Sequence, residues 1–366
     1  MKDGVPTVAF YVSGHGFGHA VRCAELIRCL WAAEPALGVL VKTSAPAWLF
    51  SALAGREAAV EPLSCDVGVV QHDSLHVERA ETLDVARAFL STWDGLVDEE
   101  AEACHRAGVR LIVGDIPAVA FRIASALGVP GLALANFAWD WIYEAYAAED
   151  GGFAELVPPL RDAYGSSALL LKLPMSPDME AFTRQRPIPL LVRTTDEPRE
   201  GLRERLGLAP GDRVVLLSFG GIGFGGVDWA ELGRLETFRF IVFGDPSEAA
   251  PDNVTVLPQR CANHHEWTRA ADIMVSKPGY GVVAECLAAG TPLLYTSRGD
   301  FAEYPLLVEA IEAHLPNRFV PREAFIEGRW THMLEELVEE ERPEGPVVDC
   351  SGGVVAAKLI IELILK

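Results

Sequence analysis

The sequence has no apolar run long enough to cross a membrane. Its apolar residues come in short runs interrupted by glycine, proline and charge, and none reaches the roughly 20 residues that a membrane-spanning helix needs. The run at residues 8–12 has the length of a buried strand and is too short for the core of a signal peptide. The 7 cysteines are scattered without a Cys-x-x-Cys pair, which is typical of reduced thiols in a cytosol. We therefore expect a cytoplasmic protein without integral membrane association.

Positive charge is also scarce. The chain has 31 lysine and arginine residues against 52 aspartate and glutamate residues, a formal net charge of −21 at pH 7. A surface this acidic repels the phosphates of nucleic acids and anionic lipid headgroups. We therefore expect no nucleic-acid partner, although an anionic small molecule can bind where helix N-termini or a few cations outweigh the overall field. The pattern Gly-x-x-x-x-Gly-Lys-Ser/Thr is missing as well, which disfavours kinase chemistry.

Short apolar runs alternate with amphipathic stretches along the 366 residues, a pattern typical of parallel sheets with crossover helices. We predict two Rossmann-like, doubly wound α/β domains that face a cleft. They are an N-terminal domain at 1–195 and a second domain at 212–352, with a charged linker at 196–211 and a C-terminal helix at 353–366. The predicted strands lie at 8–12, 38–43, 109–114, 131–136, 213–219, 238–244, 254–258, 272–276 and 292–296. The predicted helices lie at 20–33, 80–107, 119–127, 263–270, 281–289 and 304–313.

Each half begins with a strand that runs into a glycine-rich loop, at 14–19 and at 220–226. Ligands of doubly wound folds bind at the carboxyl ends of the strands, so we expect both loops at one cleft. The first loop spaces its glycines as G-x-G-x-G, whereas dinucleotide sites have G-x-G-x-x-G. The second strand also ends at Thr43 without an acidic residue for a ribose. These two differences argue against a nicotinamide dinucleotide.

Two histidines lie in the first loop, His15 and His19. A histidine titrates near neutrality, so His19, at the start of the helix, can take a proton from an attacking hydroxyl. The alternative for both histidines is that they only satisfy loop carbonyls. Asp115 ends a strand and can orient and charge-stabilise His19, or it can instead cap the helix that follows.

Residues 276–285 predict an anion site. A strand ends at Ser276, small residues turn the chain, and a helix begins near Gly281, so that its free amides and positive dipole end can bind a pyrophosphate. Glu285 lies one turn further on, where its carboxylate can accept both hydroxyls of a ribose. The alternative is a structural turn with a surface glutamate. After the next strand, Asp300 and Glu303 are placed to bond sugar hydroxyls.

Four segments, in order, resemble one family: Gly-His-Gly-Phe-Gly-His at 14–19, Asp-Val-Gly-Val-Val-Gln-His-Asp-Ser at 66–74, Asn-Phe-Ala-Trp-Asp-Trp-Ile-Tyr at 136–143, and Lys-Pro-Gly-Tyr-Gly at 277–281 with Glu285. They are similar to the glycosyltransferase-like N-terminal region of plant L-arabinokinases and its stand-alone bacterial relatives, over nearly the whole chain. The resemblance implies a GT-B fold. The sugar-kinase half of the plant proteins has no counterpart here, so kinase activity is not implied.

More distantly, the second half is similar to the donor site of the peptidoglycan N-acetylglucosaminyltransferase and of the UDP-glycosyltransferases. This resemblance implies that His19 is the base, that Glu285 binds the ribose, and that the segment Pro-Gln-Arg at 258–260 reads a uracil. Those families often carry glutamine where this chain has Asp300 and Glu303, so the identity of the sugar stays open.

The sequence thus predicts a metal-independent, inverting glycosyltransferase that moves a sugar from a nucleotide-diphosphate donor, most simply a UDP-sugar, to the hydroxyl of a small-molecule or soluble acceptor. No Asp-x-Asp pair is present to hold a metal, and we expect neither a metal nor a cofactor. Two alternatives remain, a non-hydrolysing UDP-sugar epimerase and a non-catalytic nucleotide-sugar-binding module. The predicted catalytic residues are His19 and Asp115. The predicted donor-binding residues are Gly221, Gln259, Arg260, Lys277, Gly279, Tyr280, Gly281, Glu285, Asp300 and Glu303. The predicted acceptor-binding residues are His15, Gln71, Asp73, Trp139 and Asp140.

Overall fold

Two parallel β-sheets form the framework of the protein in a computed structural model, which describes residues 6–71, 77–219, 229–244, 250–261, 263–299 and 301–365. Within these residues the first sheet has the strand order β3-β2-β1-β4-β5-β6-β7 and the second has the order β10-β9-β8-β11-β12-β13. The first sheet contains β1 (Thr7–Val12), β2 (Gly38–Thr43), β3 (Ala59–Pro62), β4 (Val109–Asp115), β5 (Gly131–Ala135), β6 (Leu169–Lys172) and β7 (Gln185–Pro187). The second contains β8 (Val214–Leu217), β9 (Arg239–Phe243), β10 (Val254–Leu257), β11 (Ile273–Ser276), β12 (Leu293–Thr296) and β13 (Asn317–Val320). The predicted pair of doubly wound domains is confirmed.

Helices cover both faces of each sheet. Those that follow strands of the first sheet are α1 (Phe17–Ala33), α2 (Trp48–Ala54), α3 (Arg79–Ser91), α4 (Trp93–Arg106), α5 (Val119–Leu127), α6 (Trp139–Ala147) and α7 (Val157–Gly165), with a 3₁₀ turn at Gly151–Glu155. The later helices are α8 (Arg199–Arg205), α9 (Trp229–Gly233), α10 (His264–Ala270), α11 (Tyr280–Ala289), α12 (Tyr304–His314), α13 (Arg322–Ile326), α14 (Thr331–Val338) and α15 (Gly352–Ile364). No helix in the described ranges is long and apolar enough to cross a membrane.

The single helix predicted at 80–107 is wrong, because the structure has α3 and α4 in its place. The break falls at Ser91 and Thr92. Their hydroxyls donate to the carbonyls of Ala88 and Phe89, each at 2.7 Å. Serine and threonine side chains that bond backbone carbonyls in this way compete with the helix. The apolar periodicity continues across the break, so periodicity alone did not show it.

Strand pairing determines which loops meet. In the first sheet β1 lies between β2 and β4, and Val12 at the end of β1 is in register with Asp115 at the end of β4. In the second sheet β8 lies between β9 and β11, and Leu217 is in register with Val275. The loop before α1 and the turn before α11 therefore leave the central strands of their sheets at the carboxyl edge, where ligands of such folds bind.

The C-terminal helix α15 packs against α1 of the first domain. The two chain segments that connect the halves run side by side there, since the Leu190 amide donates to Asp349 at 2.9 Å and the Gly352 amide donates to Leu190 at 3.1 Å. A Cβ on Gly352 would lie 2.2 Å from the Pro189 carbonyl oxygen, which no side chain can tolerate. The chain thus returns to its first domain, a docking site that the sequence did not reveal.

Candidate active site

A cleft of about 620 Å³ separates the two sheets at their carboxyl edges. The cleft is lined by the first turns of α1 and α11, each of which follows a glycine, and by side chains from the loops of the second sheet. The first domain contributes His15, Phe17, Gly18, His19, Arg22, Trp48, Gln71, Asn136 and Phe137. The second contributes Gln259, His264, Lys277, Gly279, Tyr280, Gly281, Glu285, Arg298, Phe301 and Glu303, with Arg193 from the connecting segment.

His19 lies in the first turn of α1, which begins after Gly16 at a φ of 79° that favours glycine. The His19 side chain is 8% exposed, and its Nδ1 lies 2.8 Å from Asp115 Oδ1. Burial tends to raise the pKa of Asp115, but the charge and hydrogen bonds of Arg22 outweigh it and hold that pKa well below the usual range. An ionised carboxylate has no proton to give, so His19 Nδ1 is the donor. The Nε2 of His19 is then left to accept a proton.

Asp115 does not cap the helix that follows it. The residue before α5 is Ala118, and no side chain caps that helix. Instead, both Asp115 oxygens are bonded by groups of α1, as Cys23 Sγ donates to Oδ2 at 3.1 Å in addition to the contacts from His19 and Arg22. The alternative prediction for Asp115 is therefore wrong, and the predicted contact with His19 is present.

Arg22 joins this pair, and the sequence analysis missed it. Its Nε donates to Asp115 Oδ2 at 2.6 Å, its Nη2 bonds Oδ1, and its Nη1 donates to Asn136 Oδ1 at 2.6 Å. Residues three apart on a helix share a face, so Arg22 stands beside His19. A charged residue inside the apolar stretch of α1 was the signal that could have shown it.

A hydrogen-bond path crosses from the first domain to the second. Asn136 Nδ2 donates to Glu303 Oε1 at 2.5 Å, and Arg298 Nη1 donates to Glu303 Oε2 at 2.7 Å. Glu303 is 2% exposed, so these bonds replace those that water would make. Glu303 therefore lines the cleft as predicted, but part of its bonding capacity links the two domains.

Two helix N-termini meet at the centre of the cleft. α11 begins after Gly279, and α1 after Gly16, in both cases without a side-chain cap and without an acidic residue in the first turn. A Cβ built on Gly281 would lie 3.6 Å from Gly18 Cα. Uncapped amides and two positive dipole ends thus point into one space, an arrangement suited to an anion.

Glu285 is held by a histidine that the sequence analysis missed. His264 Nδ1 lies 2.5 Å from Glu285 Oε2, Thr268 Oγ1 donates to the same oxygen at 3.0 Å, and His264 Nε2 lies 2.8 Å from Ser218 Oγ. Burial works against the charged form of both partners, but each partner's charge prevails. The pKa of Glu285 is lowered by His264, and the pKa of His264 is raised by Glu285. Glu285 is therefore an ordered carboxylate that borders the cleft.

Aromatic rings border the side of the cleft next to His19. The His15 ring contacts Trp139 edge-on at 5.5 Å and stacks on Phe301 at 6.3 Å, and Phe137 lies 5.7 Å from His19. Burial, with the nearby positive charges of Arg298 and Lys277, lowers the pKa of His15 to about 3. His15 is thus neutral at physiological pH, in an aromatic wall.

The structure brings most of the predicted site residues together and leaves others aside. Arg260 is exposed and does not line the cleft. Trp139 is buried behind His15, with its Nε1 donating to Asp66 Oδ2 at 2.9 Å, and Asp140 accepts from Arg161 Nε at 3.2 Å, away from the cleft. The roles proposed for these residues have no support from their positions. Three predicted residues lie outside the described ranges: Asp73, Gly221 and Asp300.

Two facing doubly wound domains, with a cleft at the carboxyl ends of their strands, define the GT-B fold, and solved structures of glycosyltransferases match it over nearly the whole chain. One match is Arabidopsis thaliana UGT89C1 complexed with UDP, at a TM-score of 0.61 and 17% identity, covering 98% of this chain and 100% of that one. The match shows a shared fold.

Sequence comparison agrees with the resemblance seen in the motifs. The chain is 31% identical to L-arabinokinase of Arabidopsis thaliana over 361 residues, which is 97% of this chain and 34% of the plant protein. It is 21% identical over 283 residues to an uncharacterized glycosyltransferase of Methanopyrus kandleri, covering 72% of this chain and 78% of that protein. No protein-family model matches the chain. The chain therefore spans about a third of the length of its plant relative, and the GT-B fold expected from its motifs is present.

Proposed function

We propose that this chain is an inverting, metal-independent glycosyltransferase that transfers a sugar from a nucleoside-diphosphate donor, a UDP-sugar, to the hydroxyl of a soluble acceptor in the cytoplasm. The observation that carries the proposal is the arrangement across the cleft. A histidine–carboxylate pair of one domain faces the uncapped N-terminus of α11 in the other domain. The glycosyltransferases among the sequence and structural matches support the same class of reaction.

The transfer is one displacement. The acceptor hydroxyl gives its proton to Nε2 of His19 as its oxygen forms a bond to the anomeric carbon, and the bond from that carbon to the diphosphate breaks. Attack opposite the leaving group inverts the anomeric centre. The departing diphosphate carries the electron pair and is stabilised by the amides at the start of α11 and by Lys277 in the cleft lining.

The donor side offers a place for each part of the nucleotide. The carboxylate of Glu285 borders the cleft where a ribose can donate its hydroxyls, and Gln259, in the same lining, is the residue we assign to the base. UGT89C1, which has this fold, forms a complex with UDP, and this supports uridine as the nucleoside. Arg298 and Glu303 line the same cleft, where they can bond sugar hydroxyls.

A thermal-shift panel with UDP-, dTDP-, GDP- and ADP-sugars tests the donor site. A ligand at about 100 times its dissociation constant adds roughly 2.7 kcal/mol of stability. We expect a raised melting temperature with UDP-sugars that Glu285→Ala abolishes. Glu335→Ala, which removes an exposed carboxylate on α14 of the same domain, should leave the shift intact. No shift with any nucleotide would overturn the proposal.

Product analysis separates transfer from the two alternatives. Transfer should release UDP only in the presence of an acceptor, give the inverted anomer, and proceed unchanged after treatment with a chelator. Conversion of the donor without any acceptor would indicate an epimerase. Tight donor binding without turnover under any acceptor would indicate a binding module.

A further inference from the structure

Arg22 is a buried cation in contact with the proposed base. Its side chain is 5% exposed, and its Nη2 lies 3.0 Å from Nδ1 of His19. Arginine keeps its charge in proteins at every ordinary pH. The imidazole of His19 is therefore next to a permanent positive charge as well as next to Asp115.

The contacts of Asp115 show what this charge does. A carboxylate next to a histidine favours the imidazolium form, because opposite charges attract. Here the guanidinium of Arg22 bonds both oxygens of that carboxylate, in the paired geometry that arginine and carboxylate form most strongly. Arg22 thus cancels the charge that would otherwise hold a proton on His19, and a histidine must be unprotonated to act as a base.

Arg22 is itself fixed by both domains. Its Nη1 donates to Asn136, and Asn136 donates to Glu303 of the second domain. The Tyr280 ring at the start of α11 covers the guanidinium at 5.2 Å. The position of the Arg22 guanidinium therefore depends on how the second domain packs against the first.

We propose that Arg22 is a positioning residue that neutralises Asp115 and, held by Asn136 and Glu303, keeps His19 as a neutral proton acceptor facing the cleft. The role of His19 rests on the proposed function. The effect of Arg22 on the imidazole is a physical property of the chain, and it can be measured without any substrate.

Other titratable groups also face this cluster, and the test leaves them unchanged. His15 and Asp66 of the first domain lie close to the imidazole of His19, and Cys23 donates to Asp115. Tyr280 of the second domain faces Arg22 and Asp115, and Glu303 accepts from Asn136. Because all five are retained when Arg22 is replaced, a change in the titration of His19 reports the missing guanidinium.

The test is an NMR titration of the full chain labelled with ¹⁵N-histidine. Of the 9 histidines, the His19 signals are identified by their loss in His19→Gln, and the ring ¹⁵N shifts are followed against pH. In Arg22→Met the midpoint of the His19 titration should rise by one to three pH units, the effect that one neighbouring charge has on a buried group. Arg22→Lys keeps a positive charge but lacks the planar guanidinium. Its His19 midpoint should lie above the wild-type midpoint by no more than half of the rise seen in Arg22→Met.

A smaller rise, no change or a fall of the midpoint in folded Arg22→Met would overturn the proposal. If that variant does not fold, Asn136→Ala is used instead. It removes one hydrogen bond that holds Arg22 and keeps the guanidinium charge. A rise of about half a unit or more would support the proposal, and an unchanged midpoint would overturn it.

Asn253→Ala is the matched control. Asn253 is an asparagine of the second domain whose Nδ2 donates to three backbone carbonyls outside the cleft. Its loss should lower stability and leave the His19 midpoint in place. A midpoint that moved equally in this control would assign the effect to general loosening and overturn the proposal. Failure of the nucleotide panel would overturn the transferase while leaving this titration result standing.

Discussion

Replacing Asp115 by asparagine should destabilise the protein by about 3–5 kcal/mol, the cost of breaking a buried ion pair by removing one partner. Asp115 is fully buried and the Arg22 side chain is 5% exposed, so water cannot replace the lost carboxylate. The asparagine oxygen can still accept hydrogen bonds, but the guanidinium then stays buried without a counter-charge. Urea unfolding of the two proteins measures the difference in the free energy of unfolding.

The double variant Asp115→Asn with Arg22→Met shows whether the cost is electrostatic. With both charges gone, no ion is left buried, and apolar or neutral replacements of a buried pair are often tolerated. The double variant should therefore regain at least half of the loss. Glu102→Gln serves as the control, since it removes one partner of an exposed i,i+4 pair with Arg106 and should cost about 0.5 kcal/mol or less. A loss below about 1 kcal/mol in Asp115→Asn, or a double variant no more stable than the single one, would refute this reasoning.

The pH dependence of the same variant has a definite sign. The pKa of Asp115 is held below its unfolded value, so the carboxylate contributes stability above about pH 4, and that contribution is lost as pH falls through the lower folded pKa. The gap in stability between the wild-type protein and Asp115→Asn should therefore persist from pH 8 to pH 5 and shrink only in stronger acid. A gap that closed at neutral pH would contradict the ion pair.

Three further predictions follow from single contacts. His19→Ala should lower turnover by about 10²–10⁴-fold and leave the UDP thermal shift unchanged, whereas a loss below about fivefold would indicate a structural histidine. Glu285 raises the pKa of His264, so the stability that His264 contributes is fully present below about pH 6.5 and is lost as pH rises through the raised value. The stability gap between wild type and His264→Gln should therefore be larger at pH 6 than at pH 9, and an equal or reversed gap would speak against the pair. Gly352→Ala should cost at least about 2 kcal/mol in thermal unfolding because its Cβ would overlap a backbone carbonyl. Gly345→Ala, with nothing within 4 Å of the new Cβ, is its control, and equal losses would refute the overlap.

The meeting of His19 and Asp115 could be predicted because it depends on strand order. Parallel strands place their carboxyl ends at one edge of the sheet, so loops that follow central strands converge whatever their sequence separation. Here 96 residues separate the two side chains, and they are joined at 2.8 Å. The periodicity of the sequence contains the information for such contacts.

The partner of Glu285 could not be predicted in the same way. His264 belongs to the short helix α10, and it reaches Glu285 because α10 packs against α11. The angle and register of two packed helices depend on side-chain shapes all along the contact, which no local pattern describes. Sequence reasoning therefore expected Glu285 at the cleft, which it lines, and left its histidine partner unassigned.

Trp139 and Asp140 were predicted to bind the acceptor because they belong to one motif, and neither lines the cleft. Consecutive residues of a helix point about 100° apart, so two neighbours on α6 cannot both face one ligand. The structure turns Trp139 towards the aromatic wall around His15 and Asp140 towards Arg161 of α7. A resemblance spread over eight residues thus identified the segment, but the two of its residues that line the cleft, Asn136 and Phe137, precede α6.

An anionic donor can bind to a protein with a net charge of −21 because the cleft carboxylates are already paired with basic side chains. Glu285 is held by His264 and Glu303 by Arg298, so neither presents an unopposed negative charge to a ligand. The joined N-termini of α1 and α11 then give the centre of the cleft a positive potential inside an acidic molecule. A polyanion would meet the acidic surface over its whole length, whereas a small diphosphate that enters the cleft meets mainly the helix ends. The proposed preference for a nucleotide sugar over nucleic acid therefore rests on where the charges lie, and the total charge alone does not reveal it.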